Sequence, residues 1–355
     1  MNPAVSSVKI TNDHGDAAAE HAALWESAGI LDLSFRSRIC LVGNDRARFL
    51  HGQVTNDIKK LRPGEGCYAA IVTAKGKMES DANIFNLPDE LLLDLEPGLA
   101  EKISARLEKF IVADDVQIVD AAPHYGLLSA QGPKATEVIR SLALFSGIPD
   151  KPFASVKISD ADLGEIYLAN HPRTGSIGFD LFVPNHSFSI IAEKLIGAAK
   201  NFGGCAAGWT AFETARIEAG IPRFGADMDE SNLPLECGIE SRAVSYNKGC
   251  YIGQEVINRI HSIGHVNKEL RGLRLADDLK TLPARSDKLF HNGREAGHIT
   301  SAVKSPVLHA NIALGYVRRE AFEIGNKLTL RAQAGESTAE IVEVPFVKWA
   351  RGPLV

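Results

Sequence analysis

Five cysteines, Cys40, Cys67, Cys205, Cys237 and Cys250, are all this chain has, and no two of them form a C-x-x-C pair. An odd number without that spacing excludes a disulfide framework or a zinc ribbon as the organising device and points to a reducing compartment. Long apolar runs are also missing: none approaches the roughly 20 residues that span a bilayer. Basic charge is in no excess either. The net charge of -5 gives no general attraction for nucleic acid or an anionic membrane, so neither is expected as a direct partner. The first residues, MNPAVSSVKITNDHGDAAAEHAAL, lack the apolar core of a secretory signal and the arginines of a transit peptide, and the expected location is the cytoplasm. There is no P-loop, no nucleophile elbow and no visible internal repeat. The short glycine pairs Gly203-Gly204 and Gly175-Ser176-Ile177-Gly178 lack the strand-to-helix context of a dinucleotide fingerprint.

What is present is ordinary globular material, 45% hydrophobic and 23% charged over 355 residues, enough for two or three domains. Strand and helix patterns alternate from residue 17 to about 120. They include strands at Ile39 to Val42 and Leu91 to Leu95, a helix from Ala100 to Phe110, and a hairpin of Cys67 to Thr73 with Met78 to Phe85 around Ala74-Lys75-Gly76-Lys77. A second alternating stretch, residues 121 to 268, ends in the helix Ala-Phe-Glu-Thr-Ala-Arg-Ile-Glu-Ala, stopped by Gly220 and Pro222, and the segment behind it. From residue 269 to 355 the pattern becomes short strands punctuated by Gly, Pro, Asn and Asp, which reads as a small antiparallel β-barrel. The expected class is α+β with three units.

The most unusual stretch is Lys248-Gly249-Cys250-Tyr251-Ile252-Gly253-Gln254-Glu255, which combines an ammonium, a thiol, two glycines, an aromatic ring and a carboxylate. Apolar residues at helical spacing after Gly253 predict a helix from near Gln254, carrying a Glu255–Arg259 ion pair. Cys250 then precedes a positive helix end and neighbours Lys248, both of which favour thiolate and make it a candidate reactive thiol with Lys248 as its partner. The alternative is a small buried hydrophobe in a glycine turn, a common fate of free cysteine. His261 and His265 have the i, i+4 spacing of a metal pair, but nothing nearby completes a ligand set and no metal is expected.

KGCYIGQE resembles the signature of the YgfZ family, folate-binding proteins of iron-sulfur-cluster maintenance related to the glycine-cleavage T protein, an aminomethyltransferase. The likeness to the wider superfamily runs from about Leu31 to Val347. It covers GILDLSFRSRICLVGNDRARFLHGQVTNDI, RIEAGIPRFGADMDESNLPLECGI, and GREAGHITSAVKSP with IALGYV. The resemblance implies three lobes around a central cleft that holds tetrahydrofolate. It also implies an accessory role in assembling or repairing iron-sulfur clusters of client enzymes, tRNA-modifying enzymes among them, with Cys250 as the functional thiol. The other activity it implies is folate-dependent aminomethyl or methyl transfer.

Residue by residue, the resemblance places Asp180, in RTGSIGFDLFVP, where the superfamily reads the pterin edge, with Asp standing for the usual Glu. Without the family, Asp180 reads as a solvent-facing strand residue. In Gly76-Lys77-Met78-Glu79-Ser80-Asp81 the family carries two adjacent acids and this chain has Ser80-Asp81. Asp81 is therefore expected to keep a polar contact to folate while a catalytic carboxylate is missing, and Glu79 is expected to face solvent. Arg216 is a candidate for a folate carboxylate or for an interdomain ion pair, and Glu218 for capping the loop at Gly220. Tyr251 and Gln254 complete the cofactor-binding candidates.

Overall fold

The computed structural model describes residues 10–333 and 335–348; the reading of residues 1–9, and the end of the expected barrel unit, lie outside them. The chain opens with α1 (Ala17–Glu26), capped by Asp16, whose carboxylate accepts from the Ala18 and Ala19 N–H groups. Next come β1 (Gly29–Asp32), β2 (Ser37–Val42), α2 (Arg46–Gln53), β3 (Gly66–Val72), β4 (Met78–Asn86), β5 (Leu91–Leu95), α3 (Ala100–Glu108) and β6 (Gln117–Asp120). The following stretch holds β7 (Tyr125–Gln131), α4 (Ala135–Ser141), β8 (Ser155–Asp160), β9 (Gly164–Asn170), β10 (Gly178–Pro184), α5 (Phe188–Asn201) and β11 (Cys205–Ala206). Then come α6 (Trp209–Glu218), the short α7 (Glu240–Ala243) and α8 (Gln254–Ile263). Six strands end the chain: β12 (Lys268–Leu275), β13 (Lys288–His291), β14 (Arg294–Ser305), β15 (Ala310–Arg318), β16 (Lys327–Ala332) and β17 (Gly335–Val342).

Two sheets and one barrel result. The first sheet has the order β3-β4-β5-β2-β6, the second β11-β1-β7-β10-β9-β8. β1 leaves its chain neighbours to pair with β7 and β11, so the whole first sheet is an insertion between two parts of the second. The outer face of the first sheet, through Ile39, Leu41, Leu91 and Leu93, packs on Phe49 and Leu50 of α2 and on Ile103 and Leu107 of α3. Phe179, Leu181 and Val183 of the second do the same with Val138 of α4 and Ile191 and Leu195 of α5. The inner faces meet each other: Cys40, Phe85 and Leu92 lie against Leu127 and Phe182, with Leu24 of α1 and Phe212 of α6 at the edge. Burial on both faces explains why β5 and β10 read as continuous apolar runs, and each buried Leu or Phe adds roughly 1.5 to 3 kcal/mol.

β12 to β17 close into an antiparallel barrel, which leaves no free sheet edge. Ile217 of α6 packs on Ile312 and Leu314 of the barrel wall. Glu218, the last residue of this helix, does not cap the Gly220 loop as expected: it accepts from His21 Nε2 of α1 at 2.8 Å and from Ser305 Oγ of the barrel at 2.5 Å, tying three elements. α8 starts where the spacing predicts, but the Glu255–Arg259 ion pair is absent among the described residues. Among them, too, no helix is long and apolar enough to cross a membrane.

Candidate functional site

A cavity opens where the ends of both sheets meet α6. One wall comes from the hairpin β3–β4. Alternation along β4 turns Asp81 and Asn83 to the cavity side and Ser80 to the opposite, fully buried one. Ser80 therefore does not stand in for a missing cavity acid, and its Oγ donates to the carbonyl of Asp81 at 2.7 Å. Asp81 accepts from the Tyr68 hydroxyl at 2.7 Å. Burial, with Glu96 close by, lifts its carboxyl from the ordinary 3.8 to about 6, against the pull of Tyr68 and Arg36. It is an acid able to gain or lose a proton near neutral pH. Glu79 does not face solvent as expected; it accepts from Arg106 Nε at 3.0 Å.

The opposite wall carries His171 and Arg173, from the loop after β9. Asp180 lies behind them on β10 and does not line the cavity. Its carboxylate is fully buried and already engaged: Arg173 grips it from Nε and Nη2 at 3.0 and 2.6 Å, His171 Nδ1 lies at 2.8 Å, and Ser129 Oγ donates at 2.8 Å. Burial alone would raise its pKa, but Arg173 and His171 bring it down to about 2. The expectation that Asp180 reads a ligand edge directly gives way to a different role, fixing the two side chains that do face the cavity. Burial and Arg173 hold His171 below the ordinary imidazole range, so it is neutral and its Nδ1–H is the proton given to Asp180.

From Asp180 a chain of alternating charge crosses the molecule. Arg173 Nη2 reaches Asp94 of β5 at 2.8 Å, and Asp94 accepts from Arg36 Nε at 2.7 Å. Arg36 bonds Glu96, Glu96 meets Arg223 at 3.2 Å, and Arg223 donates to Glu213 at 3.0 Å. Glu213 then holds Arg216, which bonds Asp227, and Asp227 accepts from Thr300 and Ser301 of β14. Arg216 lines the cavity, but its guanidinium is taken up by this interlobe pairing. One cavity cation stands outside the chain: Arg242, half-buried, lies 5.4 Å above the Tyr68 ring and has no carboxylate partner among the described residues. Tyr68, Arg36, Glu96, Arg173, Arg223 and Arg242 were not singled out by sequence; nothing in their local spacing marks them.

The signature stretch lies away from the cavity walls. Cys250 is exposed, so it is not a core residue. Lys248 is not the free neighbour of the thiol that its position suggests. Its ammonium is buried and donates to the carbonyls of His51 and Val54 at 2.6 Å and of Asn56 at 2.8 Å, closing off the C-terminal end of α2. Burial lowers its pKa to about 8. Tyr251 is 7% exposed and packs with Val72, Met78 and Ile257, its hydroxyl without a hydrogen-bond partner among the described residues. Gly253, the N-cap of α8, has φ 87°, and a Cβ there would lie 2.5 Å from the carbonyl of Thr73, so only glycine fits against the β3–β4 turn. Gln254 opens α8 and is not on the cavity wall. His261, whose spacing to His265 resembles that of a metal pair, bonds Glu240 at 2.7 Å and stacks on Tyr246. No group of three or more metal-ligating side chains occurs among the described residues.

Two sheets packed face to face, a charged cavity where their ends meet α6, and a closed antiparallel barrel define the α+β architecture. The chain belongs to the glycine cleavage T-protein family: the GCVT N-terminal domain matches residues 9–248 and the glycine cleavage T-protein C-terminal barrel domain residues 268–348. Curated relatives are named aminomethyltransferase. That of Bacillus subtilis (strain 168) is 28% identical over 330 residues, 93% of this chain and 90% of its own. That of Geobacillus thermodenitrificans (strain NG80-2) is 29% identical over 334 residues, 94% and 90%. The crystal structure of glycine cleavage system aminomethyltransferase T from Bartonella henselae superposes with a TM-score of 0.84 at 23% identity, covering 95% of this chain and 91% of that one, a likeness of fold.

Proposed function

We propose that this protein binds a reduced folate in the cavity and supports the assembly or repair of iron-sulfur clusters in client enzymes, with Cys250 as its functional thiol. The donor set suits such a ligand. Asp81, Tyr68 and Asn83 offer acceptors and donors to a pterin edge, Phe153 and Phe212 offer apolar faces, and Arg242 is free to take a carboxylate. A bound folate would supply one-carbon chemistry at its reduced nitrogens. The residues of this chain would orient it, and Asp81 would hold or release a proton beside it. The observation that favours the iron-sulfur role is Cys250, exposed on a loop whose two flanks are fixed by Lys248 and Gly253.

A second reading, folate-dependent aminomethyl transfer, draws on the name of the curated relatives and on Asp81, which faces the cavity with its proton affinity raised. The fully buried, outward-turned Ser80 weakens the objection that a cavity acid is missing. Calorimetry with tetrahydrofolate tests what the readings share: Arg242→Ala and Asp81→Ala should each weaken binding by about 10-fold to 100-fold. No binding by the native protein would sink both. Turnover in a glycine-cleavage assay would favour transfer, whereas loss of iron-sulfur enzyme activity on deleting the gene would favour the accessory role.

A further inference from the structure

The cavity wall opposite the β3–β4 hairpin rests on His171-Pro172-Arg173, and the fully buried Gln131 of β7 pins that segment. Its amide donates to the His171 carbonyl at 2.9 Å and accepts from the Arg173 N–H at 2.9 Å, while the His171 N–H bonds the Gly178 carbonyl at 2.8 Å. Pro172 further holds the His171 backbone extended. The imidazole is set as firmly as its backbone: the Phe153 ring centre lies 5.1 Å away, the Phe85 ring 6.1 Å, and Nδ1 is 2.8 Å from Asp180 Oδ2. Asp180 is ionised and can only accept, so the proton of the neutral ring sits on Nδ1 and the lone pair on Nε2. Nε2 has no partner among the described residues and is not sealed by protein atoms, so it opens on the cavity.

We propose that His171 is the residue that tells a reduced pterin from an oxidised one: its Nε2 accepts from a ring N–H, N5–H or N8–H, that tetrahydrofolate carries and oxidised folate replaces with a lone pair. This rests on the reading of the cavity as a folate site. On the β4 wall the Asn83 amide donates to Asp94 at 2.9 Å, which leaves its Oδ1 as an acceptor beside the Asp81 carboxyl. Two acceptors suit the N3–H and 2-amino donors of the pyrimidine edge, and a pterin held there turns its pyrazine edge, with N5 and N8, to the opposite wall. A reduced ring then meets the lone pair of Nε2 with an N–H, whereas an oxidised ring sets lone pair against lone pair. His171 cannot readily protonate to relieve that clash. The charged groups facing it are Arg173, Asp180 and Asp94, and burial together with Arg173 holds it below the ordinary imidazole range. A fixed buried acceptor discriminates strongly against a ligand without the donor, because the acceptor is then left unpaired.

Anaerobic calorimetry with tetrahydrofolate and with folate tests this. The native protein should bind the reduced form about 10-fold to 100-fold more tightly, and His171→Phe, which keeps a flat ring and removes the lone pair, should bind the two alike. Asp180→Asn should reverse the preference, because an amide that donates to Nδ1 moves the ring proton to Nε2; a merely structural role for Asp180 would weaken both ligands equally. An absent preference in the native protein, or an intact one in His171→Phe, would overturn the assignment. Should the variants fail to fold, the native protein decides with 5-deazatetrahydrofolate and 8-deazatetrahydrofolate, in which carbon replaces one ring nitrogen. One of them should bind about 10-fold to 100-fold more weakly than tetrahydrofolate, and equal binding of both would overturn the proposal. Failure to bind any of these ligands would sink the folate reading itself and this proposal with it, whereas binding without selectivity sinks the role of His171 alone.

Discussion

Asp94 and Arg173 meet at 2.8 Å across the seam between the two sheets, and Asp94 also holds Arg36 at 2.7 Å, so one fully buried carboxylate serves two guanidinium groups. Burial alone would raise its pKa, but the two arginines hold it far below the carboxylate range. Its stabilisation is therefore complete above about pH 4 and declines as the pH falls toward the folded-state value. Asp94→Asn leaves two buried cations short of charge and should cost about 3 to 5 kcal/mol at pH 7. Urea unfolding reads this out; an unchanged midpoint would show that Arg36 and Arg173 are neutralised elsewhere.

Asp81 has the opposite sign. Its folded-state value, about 6, exceeds the ordinary 3.8, so its favourable contribution is present in acid and is lost as pH rises through 6. The native protein should be destabilised between pH 4 and 8 by about 2 kcal/mol at this position. Asp81→Asn, which cannot ionise and still accepts from Tyr68, should remove that slope. Unfolding curves of both proteins at pH 4, 6 and 8 check it, and parallel pH profiles would count against a raised carboxyl.

Cys250→Ser should fold and bind tetrahydrofolate like the native protein, because the thiol is exposed and off the cavity wall. Activity of iron-sulfur enzymes in cells carrying only the variant should fall to the level of the deletion, since serine lacks the redox chemistry and soft-metal affinity of sulfur. A fully active variant would make the signature a structural turn.

The strands of the barrel should be cut last by proteases, after its β12–β13 loop. Between β12 and β13, Asp277, Asp278 and Lys280 are exposed, whereas Leu273, Ile299 and Leu330 are buried inside the closed sheet. Brief digestion should first cleave near residues 276 to 280; early cleavage across residues 297 to 342 would speak against a closed, packed barrel.

Local patterns carried much of this fold. β5 spans Leu91–Leu95 as its apolar run predicts, and α8 starts at Gln254, where the glycine ends and helical spacing begins. The site was less legible because its partners are remote. Asp94 bonds an arginine 79 residues away, and Lys248 caps a helix end 197 residues earlier, distances at which spacing carries no signal. Asp180 read as either a ligand-facing or a solvent-facing strand acid because period-two alternation assigns a face. It does not reveal that both faces of the second sheet are covered. For the same reason, four residues of β1 gave no hint that they would join strands beginning at Tyr125 and Cys205.

That last pairing sets an order of events during synthesis. Every strand of the first sheet has left the ribosome once Asp120 has cleared the exit tunnel, but β1 cannot be paired on both sides until Cys205 and Ala206 emerge. The inserted sheet should thus be protected first, while Gly29–Asp32 remains exposed through the translation of roughly 80 further residues, a delay of about 4 to 16 s at bacterial speeds. Ribosome-bound chains halted near residue 160 should resist proteolysis between residues 37 and 120 and be cut at residues 27 to 34. Equal protection of both stretches at that length would mean that β1 finds β7 alone sufficient.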